Sequence, residues 1–140
     1  MAGDITVRWA AAGDAALAGQ DGPPPVGADA RATAPGEVAV AERGGEGVGY
    51  LRLEYLWGSL PFVALIRVAP AHRRRGVGRA LLAFLEGELR ARGHGALLSS
   101  SQVDEPAPQA WHRRVGFAEC GILAGVKAGG VGEVFFRKPL

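Results

Sequence analysis

The chain has 140 residues and a formal net charge of +2, from 16 Lys and Arg against 14 Asp and Glu. That is the size of one domain with a real core, and 48% apolar content excludes a chain disordered by composition. No run approaches the roughly 20 apolar residues that span a bilayer, and a single cysteine, Cys120, excludes an intrachain disulfide.

Ile5-Thr6-Val7-Arg8-Trp9 alternates in polarity and predicts a strand. Asp4 and Arg8 break the pattern of a signal peptide, and with one cysteine the expected compartment is a reducing cytoplasm. Asp14 is placed to cap a short helix from Ala15 to Gly19, which Gly22-Pro23-Pro24-Pro25 breaks. Gln20 to Gly36 reads as loop. Glu37 to Arg43 reads as a strand, Gly44-Gly45-Glu46-Gly47 as a hairpin turn and Val48 to Trp57 as the return strand. After a turn at Gly58-Ser59-Leu60-Pro61, Phe62 to Val68 forms the fourth strand.

A helix pattern runs from Gly78 to Arg92. Val77, Leu81, Leu85 and Leu89 form its buried stripe, with Glu86–Arg90 and Glu88–Arg92 as ion pairs on the outer side. Gly93 and Gly95 end it. Ala96 to Ser100 is a short strand, and Ser99-Ser100-Ser101 reads as its end and a turn. Glu105-Pro106-Ala107-Pro108 opens a second helix that reaches Val115 and stops at Gly116. Phe117 to Leu123 and Gly132 to Lys138 make a final hairpin. The order describes one mixed α/β domain over residues 1–140, without internal repeats.

The turn between the fourth strand and the long helix, Ala71 to Leu81, carries the chemistry. A strand, a basic glycine-bearing turn and a helix start aim backbone N–H groups at one place, which suits phosphate. Two common phosphate loops fail on spacing: Gly78 is followed by Arg79-Ala80 rather than Lys-Ser/Thr, and Leu81 stands where a dinucleotide fingerprint needs a small residue. What remains is Arg-x-x-Gly-x-Gly at Arg73, Gly76 and Gly78. This resembles the coenzyme A pyrophosphate loop of the GNAT superfamily of acyl-CoA-dependent N-acyltransferases. The order of elements and Gly116-Phe117 after the second helix resemble that family as well.

The resemblance implies a mixed, mostly antiparallel central sheet flanked by helices, and an acetyl transfer from acetyl-CoA to a primary amine by direct attack in a ternary complex. It places the cofactor on Arg73, Arg74, Arg75, Gly76, Val77, Gly78 and Arg79, with the backbone of Ile66, Arg67 and Val68 beside the pantetheine. The N–H of Val68 is then expected to bond the thioester oxygen. The family often reads Leu-Tyr-x-x-x-Gly-Phe where this chain has Trp111-His112-Arg113-Arg114-Val115-Gly116-Phe117, so His112 holds the tyrosine position. Either His112 protonates the departing thiolate, or it is a contact to the cofactor or solvent while water supplies the proton. Glu105 stands where relatives often carry an asparagine.

The fourth strand lacks the carboxylate that many relatives use as a base. Glu54, sharing a face with Tyr50 and Arg52, is the substitute candidate, or else a solvated partner of Arg52; Asp104 and Glu105 are weaker candidates. No residue spacing implies a metal. The short Gly/Pro-rich segment between the first two strands implies an acceptor pocket that is open, or completed by a second copy in a homodimer. Small-molecule amines and peptide or protein amines both remain open as acceptors. Arg accounts for 14 of the basic residues, which with high Ala, Gly and Pro fits a GC-rich, bacterial genome. The arginines cluster on the expected cofactor loop, so neither nucleic acid nor membrane is the expected partner. A non-catalytic acyl-CoA-binding module of the same fold is the alternative.

Overall fold

A computed structural model describes residues 4–11 and 38–140. The expected helix from Ala15 to Gly19, the loop from Gln20 to Gly36 and the strand residue Glu37 lie outside the described residues.

Among the described residues, seven strands form one sheet: β1 Ile5–Trp9, β2 Val38–Arg43, β3 Glu46–Leu56, β4 Leu60–Val68, β5 Ala96–Gln102, β6 Ala118–Leu123 and β7 Glu133–Pro139. Two α-helices are described, α1 Val77–Ala91 and α2 Pro106–Arg114. The strand order is β1-β2-β3-β4-β5-β7-β6. Every neighbouring pair is antiparallel except β4 and β5. The mixed, mostly antiparallel sheet flanked by helices is therefore present as expected.

The apolar stripe of α1 (Val77, Leu81, Leu85, Leu89) is buried in one cluster with Ala39, Ala41, Leu51, Leu53, Leu97 and Phe136. Burying a leucine side chain this way contributes about 1.5–3 kcal/mol, and the stripe supplies several at once. Val115 and Phe117, at the end of α2, join the same cluster. The opposite face of β2 and β3 carries a smaller cluster of Val38, Val40 and Tyr50.

Three local expectations change. The hairpin turn is tighter than predicted: Gly44 and Gly45 have φ of 59° and 79°, so two residues close it and Glu46 and Gly47 already pair. The serines do not end β5. Ser99 to Gln102 pair residue for residue with Phe136 to Glu133 of β7, so the ladder overrides their weak strand preference. Glu86 is not on the outer side of α1; it is 6% exposed. Its carboxylate accepts from Arg90 at 3.3 Å, as the spacing foresaw, and also from Lys138 Nζ of β7 at 2.9 Å. Lys138 lies across Gly116, where an added Cβ would meet its Cε at 3.0 Å. Glu88 likewise turns from Arg92 to Trp9, whose Nε1 donates to it at 2.7 Å and ties β1 to α1.

The start of α1 sits low on the sheet because Gly49 of β3 has no side chain. A Cβ there would lie 2.8 Å from the Arg67 carbonyl and 3.0 Å from Val77 Cγ1. The first of these atoms is backbone and cannot swing aside. Gly49→Ala should therefore destabilise the fold by about 1–3 kcal/mol through overpacking. A thermal midpoint equal to that of the wild type would show that the contact relaxes freely.

Candidate active site

β4 and β5 pair at two positions, Phe62↔Leu98 and Val63↔Ser99. Just beyond, β4 bulges: Leu53 faces Val63 and Arg52 faces Leu65, which leaves Ala64 over. From there the strands part. β4 stays with β3 as far as Val68, and β5 stays with β7 as far as Gln102. The result is a cleft of about 1070 Å³. Val63 to Val68 form one wall and Ser99 to Gln102 the other. Pro108, Trp111 and His112 of α2 close a further side, and Lys127 and Glu133 reach in from the β6–β7 hairpin.

The loop leading into α1 reaches the same cleft. Arg74 and Gly76 adopt left-handed backbone, with φ of 61° and 83°. For Arg74 that conformation costs roughly 1 kcal/mol or more, so the surrounding structure imposes it. Gly76 is the N-cap of α1 and offers no side-chain cap, and the first turn holds no acidic residue. The N–H groups of Val77, Gly78 and Arg79 precede the first intrahelical bond, from Ala80 N to the Gly76 carbonyl at 3.0 Å. Gly78 faces α2: a Cβ there would touch the Trp111 ring at 3.4 Å and Ile66 Cδ1 at 4.0 Å. Its missing side chain keeps the gap between the two helices open. Arg73 Nε donates to the Val68 carbonyl at 3.0 Å and fastens the loop to the end of β4.

Of the residues expected to hold a cofactor, Ile66, Arg67, Val68, Arg73, Arg74, Gly76, Val77, Gly78 and Arg79 line the cleft, and Arg75 does not. His112 and Glu105 line it, whereas Asp104 does not. Glu54 is not brought to it: opposite Phe62, on the β3 side of β4, its side chain is exposed.

His112 is 4% exposed. Its Nδ1 lies 2.8 Å from the Pro108 carbonyl and its Nε2 lies 2.7 Å from Ser99 Oγ. A carbonyl accepts only, so Nδ1 carries the proton and Nε2 accepts from the serine hydroxyl. The ring stacks on Phe136 at 4.6 Å and meets Phe117 edge-on at 5.4 Å. Burial lowers its pKa below the ordinary 6.5, against the raising effect of the Pro108 bond. It is a neutral imidazole with both nitrogens engaged. Ser101, two residues beyond Ser99 on β5, also lines the cleft, and its buried hydroxyl has no hydrogen-bond partner in the structure.

The carboxylate that sequence reasoning missed is Glu133. Ser100 Oγ donates to its Oε2 at 2.7 Å and Lys127 Nζ to its Oε1 at 2.8 Å. Its signal lies in the pairing of β5 with β7, which sets Glu133 diagonally next to Ser100; no pattern local to either strand contains it. Among the described residues, no three His, Cys, Asp or Glu side chains gather as metal ligands.

The arrangement thus joins an anion-suited mouth, a strand edge released from its neighbour, a neutral imidazole and a carboxylate. Several known proteins are similar to this chain. The chain is 36% identical over 117 residues to the streptothricin acetyltransferase of Streptomyces lavendulae, covering 82% of this chain and 59% of that protein. The chain therefore spans under two thirds of that relative's length. The structure of a ribosomal-protein-alanine N-acetyltransferase from Brucella melitensis is 34% identical, with a TM-score of 0.63 over 74% of this chain and 68% of that one. At 20% identity, the Escherichia coli ribosomal-protein-S18-alanine N-acetyltransferase shares the fold, with a TM-score of 0.78 over 97% of this chain and 94% of that one. A family profile described as an acetyltransferase (GNAT) domain matches residues 34–119, from ahead of β2 into β6. That span takes in both walls of the cleft and the loop at its mouth, and the chain belongs to the GNAT family of acetyltransferases.

Proposed function

We propose that the chain transfers the acetyl group of acetyl-CoA to a primary amine, the amine attacking the thioester directly while both substrates are bound. The observation that carries this reading is the parted β4–β5 seam with a helix N-terminus that no side chain caps at its mouth. The residues present fit coenzyme A. Val77, Gly78 and Arg79 offer N–H groups to the pyrophosphate, and Arg74 and Arg79 add charge suited to its oxygens. Beyond Val63 the edge of β4 that faces β5 has no strand partner, so apart from the Val68 carbonyl, which Arg73 holds, its N–H and C=O groups are free for amide groups of the pantetheine. The Val68 N–H is the donor assigned to the thioester oxygen, where charge develops during attack. Arg75, outside the wall, contributes charge rather than contact.

The neutral, doubly bonded and buried state of His112 favours neither the proton donor nor the contact to cofactor or solvent, but a positioning role. A ring that accepts at Nε2 has no proton there to give, and burial opposes adding one. His112 instead fixes Ser99 and joins α2 to the cleft wall.

Relatives named for streptothricin and for the alanine of a ribosomal protein frame the acceptor as an amine, small or peptidic. Among the described residues, no helix is long and apolar enough to cross a membrane. The test is free-thiol release from acetyl-CoA across streptothricin, polyamines and a peptide with N-terminal alanine. Release with at least one of them supports the enzyme; acetyl-CoA binding without any release supports the non-catalytic module.

Two further outcomes are expected. Gly78→Val fills the gap between Ile66 and Trp111, so isothermal titration should show acetyl-CoA affinity falling at least about tenfold, or ~1.4 kcal/mol. Full affinity in a folded Gly78→Val protein would sink the loop assignment. The second outcome concerns pH. Because the folded pKa of His112 is lowered, the unfolded chain takes up this proton first as pH falls. The stability that the neutral ring confers is complete well above pH 6.5 and is lost as pH drops below that value toward the folded pKa. The thermal midpoint should thus decline between pH 7 and 5, more steeply in the wild type than in His112→Asn. Parallel slopes in the two proteins would show that His112 does not titrate differently on unfolding.

A further inference from the structure

The β6–β7 connection carries Lys127 into the cleft. It is built on glycines: Gly125, Gly129 and Gly130 all have left-handed backbone, with φ of 78°, 78° and 74°. Lys127 Nζ donates to Glu133 Oε1 at 2.8 Å. The Gln102 amide, oriented so that its oxygen faces the ammonium, accepts from the same Nζ at 3.1 Å and donates to Asp104. Glu133 is held from its other side by Ser100. The Glu133 side chain is 17% exposed, while that of Lys127 is 36% exposed. The carboxylate is the fixed partner of this pair and the ammonium the more accessible one.

Two acceptors thus face one primary ammonium on the wall of the cleft, in a seat whose chemistry is that of a protonated amine substrate. We propose that this is the acceptor subsite, that it takes a cationic aliphatic amine, and that Lys127 occupies it as a tethered placeholder which the acceptor displaces. The role as an acceptor subsite rests on the acetyltransferase reading, but the exchange itself is a binding event. An aliphatic amine is an ammonium near pH 7 and needs an anionic seat once it leaves water. Glu133 and Gln102 already form that seat. A lysine on a short glycine-bearing connection presents its ammonium at a local concentration of order millimolar, so a free amine must outcompete it. The apparent affinity for the acceptor is the intrinsic one multiplied by the fraction of time in which Lys127 has left the seat. A neutral molecule of the same shape cannot replace the charge, so the device filters acceptors by charge before any chemistry.

The test uses n-butylammonium, which reproduces the lysine side chain from Cβ to Nζ, and 1-butanol as its neutral counterpart. Dissociation constants are read by ligand-observed NMR titration of the wild type, Lys127→Ala and Glu133→Gln, with folding checked by circular dichroism. Lys127 is on a partly exposed connection outside the core, so its truncation leaves the fold in place. The expected result is about tenfold tighter n-butylammonium binding in Lys127→Ala, loss of binding in Glu133→Gln, and no gain for 1-butanol. The proposal is overturned if n-butylammonium binds Lys127→Ala no more tightly than the wild type, or if 1-butanol gains as much. A parallel titration of acetyl-CoA keeps the two readings apart. Absent acetyl-CoA binding beside the expected butylammonium pattern would sink the transferase and leave the cation seat standing; normal acetyl-CoA binding without that pattern would do the reverse.

Discussion

The fold is organised by one parallel strand pair, the only one among the described residues, and by how soon that pair ends. Parallel neighbours cannot be joined by a tight turn; they need a crossover, here the loop and α1. The crossover must begin where β4 ends, so the N-terminus of α1 is delivered to the carboxyl end of β4. That is also where β4 and β5 have parted after Phe62↔Leu98 and Val63↔Ser99. A positive helix end and a released strand edge therefore meet by topology, before any residue is chosen for a ligand. The glycines then tune distances: Gly49 sets how low the helix start lies, and Gly78 keeps α1 from filling the gap to α2.

This division between topology and local chemistry decides how much is legible in the sequence. Arg73, Gly76 and Gly78 are close in the chain, and the apolar stripe of α1 is periodic, so both can be read without a partner. Glu54 and Arg52 share a face by alternation, but the face alone does not place a residue: β3 is one strand removed from the seam. Glu133 and Lys127 carry no local signal, because their meaning arises from the pairing of β5 with β7 and from a glycine-rich connection, neither of which has a period. The serines of β5 mislead for the same reason, since a full ladder to β7 outweighs their preference for turns.

The cleft separates two electrostatic environments. Its mouth is open, basic and rich in N–H groups, suited to an anion that arrives with a hydration shell to lose. Farther along β5, side chains alternate between a dry face, with Ser99 and neutral His112, and a face carrying Ser100 and the Glu133–Lys127 pair. Strand alternation thus sends neighbouring serines to different partners, a buried imidazole and a half-buried carboxylate. Along this stretch of β5, the face toward α2 holds a neutral ring and a hydroxyl, and charge is admitted on the other face, where an ion can be exchanged.

The bridge from Glu86 to Lys138 spans the same seam from the helix side. α1 packs over β1 to β4, while Lys138 belongs to β7 in the other half of the sheet. Losing Glu86 leaves the half-buried Lys138 ammonium without its carboxylate, and losing Lys138 leaves the buried Glu86 with Arg90 alone, so either change carries a cost. Gly116 is bound into the same set, because its left-handed backbone, with φ of 100°, and bare Cα make room for the lysine stem. Positions 86, 116 and 138 are thus coupled in space, and the left-handed backbone of Gly116 strains any side chain there whatever stands at the other two. The Gly-Phe step after α2 then owes its glycine to the left-handed turn that ends the helix and to the strut that crosses it, rather than to the chemistry beside it.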